Sequence, residues 1–575
     1  MATTLPRNSD VADQLDLLAD LSEIRGDDSF RVSAYRRAAT RVRETAAPVA
    51  ELAVAGRAKE LQGIGKTIEE KIIQIVEHGE IEALTRRKAE IPDEVVLFMR
   101  LPGLGPKSAK KIWQELGITT LEGLREAAEA QRLRALPGMG AKTEENVLRA
   151  LAEPAAAEEP QRTLLGRALP VLKAVVSVLA EHPACEQVSV AGSARRYRET
   201  VRDLDIIATA NDPAALIDYF TRLRWVVDVA AKGPTKATVV SQDGYRFDLR
   251  VVPPECYGNL LQHFTGSKNH NVALREAAVR RKLSVSEYGV QNTETGETFT
   301  ARTEEELYRF LGYDFIPPEL REDCGELEAA RNGELPELVE PSDLRGDLHT
   351  HTNWSADGKN TLDEMVRSAI ARGYEYYAVT DHSHYLREGR LERQAEEIAA
   401  LQEEVAPFQI LRGVEVNIKA DGTLDMPDEE LATLDWVVAS VHAARLKNPL
   451  ERVFAAMENP YVDCIGHLTG RKLNKRGPVD IDVERVIEKA LETKTFLELN
   501  SQPDRLDLRD VHARAAREAG LKLVVDSDGH ELGAQAYVEF GIGQARRAWL
   551  TKADVVNTRT WKQIERIRKR RPAST

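Results

Sequence analysis

Over the first 150 residues, apolar positions recur at helical spacing in stretches rich in Ala, Leu, Arg and Glu, which predicts a helical region. The pattern then changes. Residues 187–191 form a short apolar run, Gly192 to Arg196 read as a turn into a helix, and Leu204 to Ala208 read as a second strand. A further run, Tyr245-Arg246-Phe247-Asp248-Leu249, follows the turn signal Gln242-Asp243-Gly244. Residues 319–342 are Glu-, Leu- and Pro-rich, with Pro317-Pro318 before them and Pro336 and Pro341 inside, and read as a linker. Beyond it, apolar strands such as Tyr376–Thr380, Trp436–Val441 and Lys522–Val525 alternate with helical stretches. Such alternation predicts a barrel or a doubly wound sheet, with the active site at the carboxyl ends of the strands.

At 575 residues the chain is too long for one core, and three or four domains are expected. Met1 to Asp10 lacks an apolar signal segment, and no run reaches the length of a membrane span. The four cysteines, Cys185, Cys256, Cys324 and Cys464, form no CxxC pair, which points to a reducing, cytoplasmic setting. A net charge of −14 argues against indiscriminate coating of nucleic acid but leaves room for local basic patches.

Three candidate chemistries stand on this frame. Asp203 and Asp205 project to one face of a strand because side chains alternate. Strand pairing can bring Asp248 beside them. Three clustered carboxylates repel one another unless divalent cations sit among them, and such ions can move a nucleotidyl group. The Gly192-Ser193 turn lets backbone N–H groups approach phosphate, and Arg195 and Arg196 add phosphate-pairing charge. Asp-x-Asp alone is common on exposed strands, so the turn and the third carboxylate carry the reading.

The second feature is a repeated turn: Gly63-Ile64-Gly65-Lys66, Gly103-Leu104-Gly105-Pro106-Lys107 and Gly138-Met139-Gly140-Ala141-Lys142. Each precedes a helical stretch, whose free N–H groups and positive dipole end suit a DNA phosphate. The three resemble helix-hairpin-helix motifs, which grip backbone without reading bases.

The third is a set of residues at predicted βα junctions: His349, His351, Asp357, His382, Glu415, His442, His467, Asp528 and His530. Eight of the twelve histidines follow residue 345; His384 and His512 lack a partner pattern, and His512 reads as a helix-face residue. Six histidines with three carboxylates at strand ends point to a metal cluster.

These motifs resemble, over nearly the whole chain, the bacterial and archaeal type of family X DNA polymerase with a C-terminal PHP (polymerase and histidinol phosphatase) domain. The resemblance implies a multidomain α+β and α/β protein. Its parts would be a small DNA-binding, lyase-like domain (1–82), fingers with two hairpins (83–153), a nucleotidyltransferase palm (160–252), a thumb (253–318), the linker (319–342) and a distorted (β/α)7 PHP barrel (343–575). Asp203, Asp205 and Asp248 would be catalytic and hold Mg2+ or Mn2+. Gly192, Ser193, Arg196, His263, Phe264, Gly266, Lys268 and Asn271 would contact the dNTP, with Phe264 and the Gly266 turn crowding a ribose 2′-hydroxyl. The best-studied eukaryotic relatives usually have Tyr at the position of His263, and Lys268 replaces an acidic residue there. Gly63, Gly65, Lys66, Lys71, Gly103, Gly105, Lys107, Gly138, Gly140 and Arg275 would contact DNA. Lys71 matches the lysine that forms a Schiff base with an abasic sugar in some members, while Thr67 stands where a companion lysine is found; phosphate contact is the alternative role.

In the barrel, His349, His351, Glu415 and Asp528 would hold one metal. Glu415 would bridge to a second held by His442 and His467, and Asp357, His382 and His530 would hold a third. Up to three Mn2+, Zn2+ or Fe ions fit these ligands. The implied activity is filling of short gaps in primed DNA bearing a 5′-phosphate, using dNTPs, with 3′→5′ exonuclease or abasic-site cleavage from the barrel. A monomer associated with the nucleoid and free of membrane is expected. Rival readings are a nucleotidyltransferase acting on other substrates and a DNA-end-binding scaffold with vestigial catalysis. The tail Arg566-Ile567-Arg568-Lys569-Arg570-Arg571 reads as a solvated terminus.

Overall fold

The computed structural model describes residues 5–569 apart from 7, 46–48, 62, 100, 102–103, 153–161 and 443–446. The chain divides into two compact units, residues 1–160 and 161–575.

The first unit is helical. The helices Asn8–Arg25 and Ser29–Glu44 pack against each other and share one core with the later helices of the unit. The glycine turns lead into the helices Lys66–His78, Pro106–Leu116 and Ala141–Ala152.

The second unit begins with a five-stranded mixed sheet in the order Cys185–Val190, Leu204–Ala210, Arg246–Val252, Lys236–Ser241, Val226–Lys232. Alternation sorts its side chains. Leu204, Ile206 and Ala208 join the helices Leu165–Ala180 and Pro213–Thr221 in one core, while Ile207 and Val252 meet the helix Tyr257–Thr265 on the other face. Asp205 therefore shares the second face, and parallel register sets it opposite Asp248.

Seven parallel strands come next in sequential order, Gly346–Asp347, Tyr376–Val379, Gln409–Asn417, Trp436–Ser440, Cys464–Ile465, Phe496–Asn500 and Leu523–Asp526. Sequential order excludes the doubly wound alternative. The sheet nearly closes into a barrel: Leu348 N donates to Asp526 Oδ1 at 2.9 Å and His351 N to the Gly529 carbonyl at 2.9 Å. The first strand ends at Asp347, so His349 and His351 lie just past it, on the segment that makes this closure.

Two expectations are corrected. Residues 319–342 are folded and packed. Arg321 is fully buried and ion-paired with Glu304 at 2.5 Å, and Glu326 is buried against His270 at 2.7 Å. Proline and glutamate there make tight turns and ion pairs, which composition reads as openness. The tail also folds back: Lys569 is 7 % exposed and donates to the Met457 and Asn459 carbonyls at 2.6 and 3.1 Å, and Arg568 donates to the Asp435 carbonyl. Arg570 and Arg571 lie outside the described residues. Among the described residues no helix is long and apolar enough to cross a membrane.

Ion pairs tie the palm sheet to the thumb and the barrel. Glu304 accepts from Arg195 at 2.6 Å and from Arg321, and Glu322 pairs with Arg196 at 3.0 Å and Arg547 at 2.8 Å. Burial raises both carboxyls, but the two arginines around each win and hold both down at about 2. Their stabilisation is complete above the ordinary carboxylate value of 4.5 and is lost as pH falls from 4.5 toward 2. Each is worth on the order of 3 kcal/mol. Urea midpoints measured from pH 6 down to pH 3 should fall progressively below pH 4.5; a flat profile would remove the argument.

Candidate functional site

Gly192 opens the short helix Gly192–Arg195 at φ +64°, and a Cβ there would come within 2.1 Å of Asp205 Oδ2. Only glycine lets this carboxylate lie against the turn. Asp203 and Asp248 lie beside it, with Arg246 Nε at 3.9 Å from Asp203 Oδ1 and 3.7 Å from Asp248 Oδ2, and Thr238 Oγ1 donates to Asp248 Oδ1. Burial first, then the charges of Asp248 and Asp203, push Asp205 up to about 7. That mutual repulsion is what divalent cations would relieve, so the residues fit such ions.

Phe264 lies under the Arg250 guanidinium at 4.3 Å, and His263 is half-buried beside it. Burial lowers the His263 imidazole. Lys268 is exposed at the start of the helix Lys268–Val279, as is Arg275 further along it. Two of the predicted nucleotide contacts also bond within the chain. Arg196 donates from Nε to Glu322 and from one Nη to the Thr265 carbonyl, which ties it to that turn; Arg195 is similarly held by Glu304. Asn271 is buried, accepting from Gln262 at 2.9 Å and donating one N–H to the His263 carbonyl at 2.7 Å. His270 is a packing residue between Glu326 and Tyr308. Sequence reasoning missed Arg246 and Arg250, although alternation with Asp248 already places all three on one face.

The barrel brings all nine of its predicted residues together. Glu415 is central: Oε2 lies 3.5 Å from His349 Nε2, 3.6 Å from His351 Nε2 and 2.8 Å from His382 Nδ1. Its Oε1 lies 3.3 Å from His442 Nε2 and 3.1 Å from His467 Nε2. Asp528 Oδ1 is 3.3 Å from His351 Nε2, and Asp357 Oδ2 is 3.4 and 3.3 Å from Nε2 of His382 and His530. Two donors each about 2.1 Å from one ion stand about 3.0–3.4 Å apart at ordinary ligand angles, close to these separations.

Second bonds aim the rings. His349 Nδ1 pairs with Glu498 at 2.6 Å, His442 Nδ1 with Asn417 at 2.7 Å and His530 Nδ1 with the Asp528 carbonyl at 2.9 Å, leaving each Nε2 for the centre. The buried Nε2 atoms of His349 and His351 have no hydrogen-bond partner. Burial, then the charges of His530 and His382, lower His351 to about 3, and burial lowers His467, whereas at His349, His382 and His530 the neighbouring carboxylates outweigh burial and raise the imidazole. His467 and Asp528 hold left-handed backbone, φ +26° and +49°, a strain of the kind kept at working sites. The donor set fits metal ions. Glu498 and Arg505, the latter 3.7 Å from Asp528 Oδ2, were missed; a carboxylate inside the apolar strand Phe496–Asn500 was the available signal for the first. His384 stands exposed beside His382, and His512 lies on the helix Asp510–Glu518.

In the first unit, Gly65 and Gly105 precede their helices with no side-chain cap, and Gly63 and Gly138 have φ +87° and +88°. A Cβ at Gly63, Gly65, Gly105, Gly138 or Gly140 would meet nothing within 4 Å, so internal packing does not require these glycines. Lys66 and Lys107 are exposed. Gly103 lies outside the described residues. Gly63, Gly65, Lys66 and Lys71 line a cavity of about 880 Å3 together with Arg31 and Arg86. Lys71 sits 5.6 Å over the Tyr35 ring, its ammonium lowered by burial and by Arg31 and Arg86.

Taken together, these sites define a nucleotidyltransferase joined to a metal-binding barrel. Comparison with known families agrees: residues 6–81 match the helix-hairpin-helix domain, 95–153 the SAM-like helix-hairpin-helix tandem, 260–322 the DNA polymerase beta thumb and 347–502 the PHP domain. The chain is 39 % identical over 573 residues to the DNA polymerase/3'-5' exonuclease PolX of Bacillus subtilis, covering 98 % of this chain and 99 % of that one. DNA polymerase lambda of Rattus norvegicus is 25 % identical over 343 residues, 55 % of this chain and 56 % of that one. A probable phosphatase of Acetivibrio thermocellus is 32 % identical over 243 residues, 39 % of this chain and 95 % of that one. The chain belongs to the family X DNA polymerases that carry a C-terminal PHP domain.

Proposed function

We propose that the protein fills short gaps in DNA by template-directed addition of dNTPs, and that its barrel removes nucleotides from 3′ ends. The observation that carries the reading is the coexistence, in one chain, of the Asp203, Asp205 and Asp248 cluster with the nine clustered histidines and carboxylates of the barrel.

At the first site the three carboxylates would hold Mg2+ or Mn2+, which supplies charge to acidify a primer hydroxyl and to stabilise the phosphates. The chain's own part is geometric. Gly192 leaves room for Asp205, Thr238 and Arg246 fix Asp248, and Phe264, steadied by Arg250, forms the wall against which a deoxyribose packs. In the barrel, His349, His351, Glu415 and Asp528, then His442 and His467, then Asp357, His382 and His530 would hold up to three Mn2+, Zn2+ or Fe ions. Glu498 and Asn417 keep the imidazoles turned to the centre. This donor set suits hydrolysis of a phosphodiester.

The basic cavity around Lys66 and Lys71 supports binding of the 5′-phosphate at the far side of a gap, by a monomer working at the nucleoid. Filling rates on one gapped duplex with a 5′-phosphate and with a 5′-hydroxyl test this. The phosphate should improve kcat/KM by about tenfold, the worth of one charge-assisted contact. Equal rates would remove the 5′-phosphate role, and equal use of an RNA primer would favour a different nucleotidyltransferase.

A further inference from the structure

The barrel helix Val538–Arg547 meets the palm at the segment that carries the nucleotide-binding turn. Tyr197 follows Arg196 with φ +53°. Its hydroxyl bonds Glu539 Oε1 at 2.8 Å, and its carbonyl accepts from Gln544 Nε2 at 2.7 Å. Its ring lies on Gly543, where a Cβ would come within 2.1 Å of the ring's Cδ1. A left-handed tyrosine costs about 1–3 kcal/mol and persists only where its surroundings impose it. Here the surroundings are three residues of the barrel.

A second line runs beside the first. Arg547, buried, donates to the Arg196 carbonyl at 2.9 Å, to Glu322 at 2.8 Å and to Asp510 at 2.7 Å. Glu322 accepts from Arg196 Nε at 3.0 Å, and Arg196 donates onward to the Thr265 carbonyl, next to Gly266. A polar chain thus leads from the barrel to the turn that faces the nucleotide. Two guanidiniums share one carboxylate in it, so each needs Glu322 to tolerate the other.

We propose that Arg547, Glu322 and Tyr197 are positioning residues for nucleotide addition, through which the barrel fixes the Gly192–Tyr197 segment and the Thr265-Gly266 turn. The idea rests on the reading of that turn as the wall facing the incoming sugar.

The test uses the full-length protein and its Glu322→Gln, Arg547→Lys and Tyr197→Phe variants on gapped DNA. KM for dNTP, kcat, the dNTP-to-rNTP preference and 3′-end shortening are measured on one substrate. Glu322→Gln should raise KM for dNTP about tenfold and lower the sugar preference while kcat and the shortening rate hold. Tyr197→Phe and Arg547→Lys should give smaller changes in the same two quantities. Unchanged KM and sugar preference in variants that still shorten DNA overturn the proposal. So does a parallel fall of both activities, which marks general destabilisation. A wild-type protein that extends with rNTP as well as dNTP instead overturns the underlying reading of the turn.

Discussion

Asp205→Ala should abolish primer extension, by on the order of 10³-fold or more, while 3′-end shortening and DNA binding persist. The size comes from the site. Asp205 is half-buried, pressed against Gly192 and facing Asp248 across parallel strands. Removing it takes away the side chain around which cations would gather, and Asp248, held inside its strand and bonded by Thr238, stays on its own side of the pair. The fold should tolerate the change, since burial, with the repulsion of Asp248 and Asp203 added, already disfavours this charge and pushes Asp205 up to about 7. Extension by primer assay and melting temperature check both statements; residual extension within tenfold of wild type would remove Asp205 from the catalytic set.

His351→Ala should have the mirror effect. Its Nε2 stands 3.6 Å from Glu415, the acid that also faces His349, His382, His442 and His467, and 3.3 Å from Asp528. Shortening of 3′ ends should fall by on the order of 10³-fold, and the metal content of the purified protein should drop. Extension should stay within a few fold, because the palm draws no side chain from this cluster. Extension lost together with shortening would mean that the two sites are not separate.

Much of this was legible in residue order because the chemistry is local. Asp203 and Asp205, or His349 and His351, stand two positions apart, and the glycine turns repeat with their flanks intact. The hidden part depends on partners far along the chain. Arg196 reads as a phosphate contact, and nothing near it shows that Glu322, 126 positions on, also bonds it. His349 is aimed by Glu498, 149 positions away. Residues 319–342 look like a linker because prolines and acids usually mark one, yet Arg321 and Glu326 each find a buried partner there. Nor does anything in the neighbourhood of Asn271 reveal that its amide bonds Gln262 and the His263 carbonyl.

On this reading one chain holds a synthetic and a degradative site that act on the same 3′ end. A 5′-labelled primer on a duplex with a short 5′-phosphorylated gap, incubated with Mn2+, tests it directly. Without dNTPs the primer should shorten; with all four it should lengthen by the number of gap nucleotides and stop. A primer that lengthens with dNTPs but never shortens without them, or the reverse, would contradict the account.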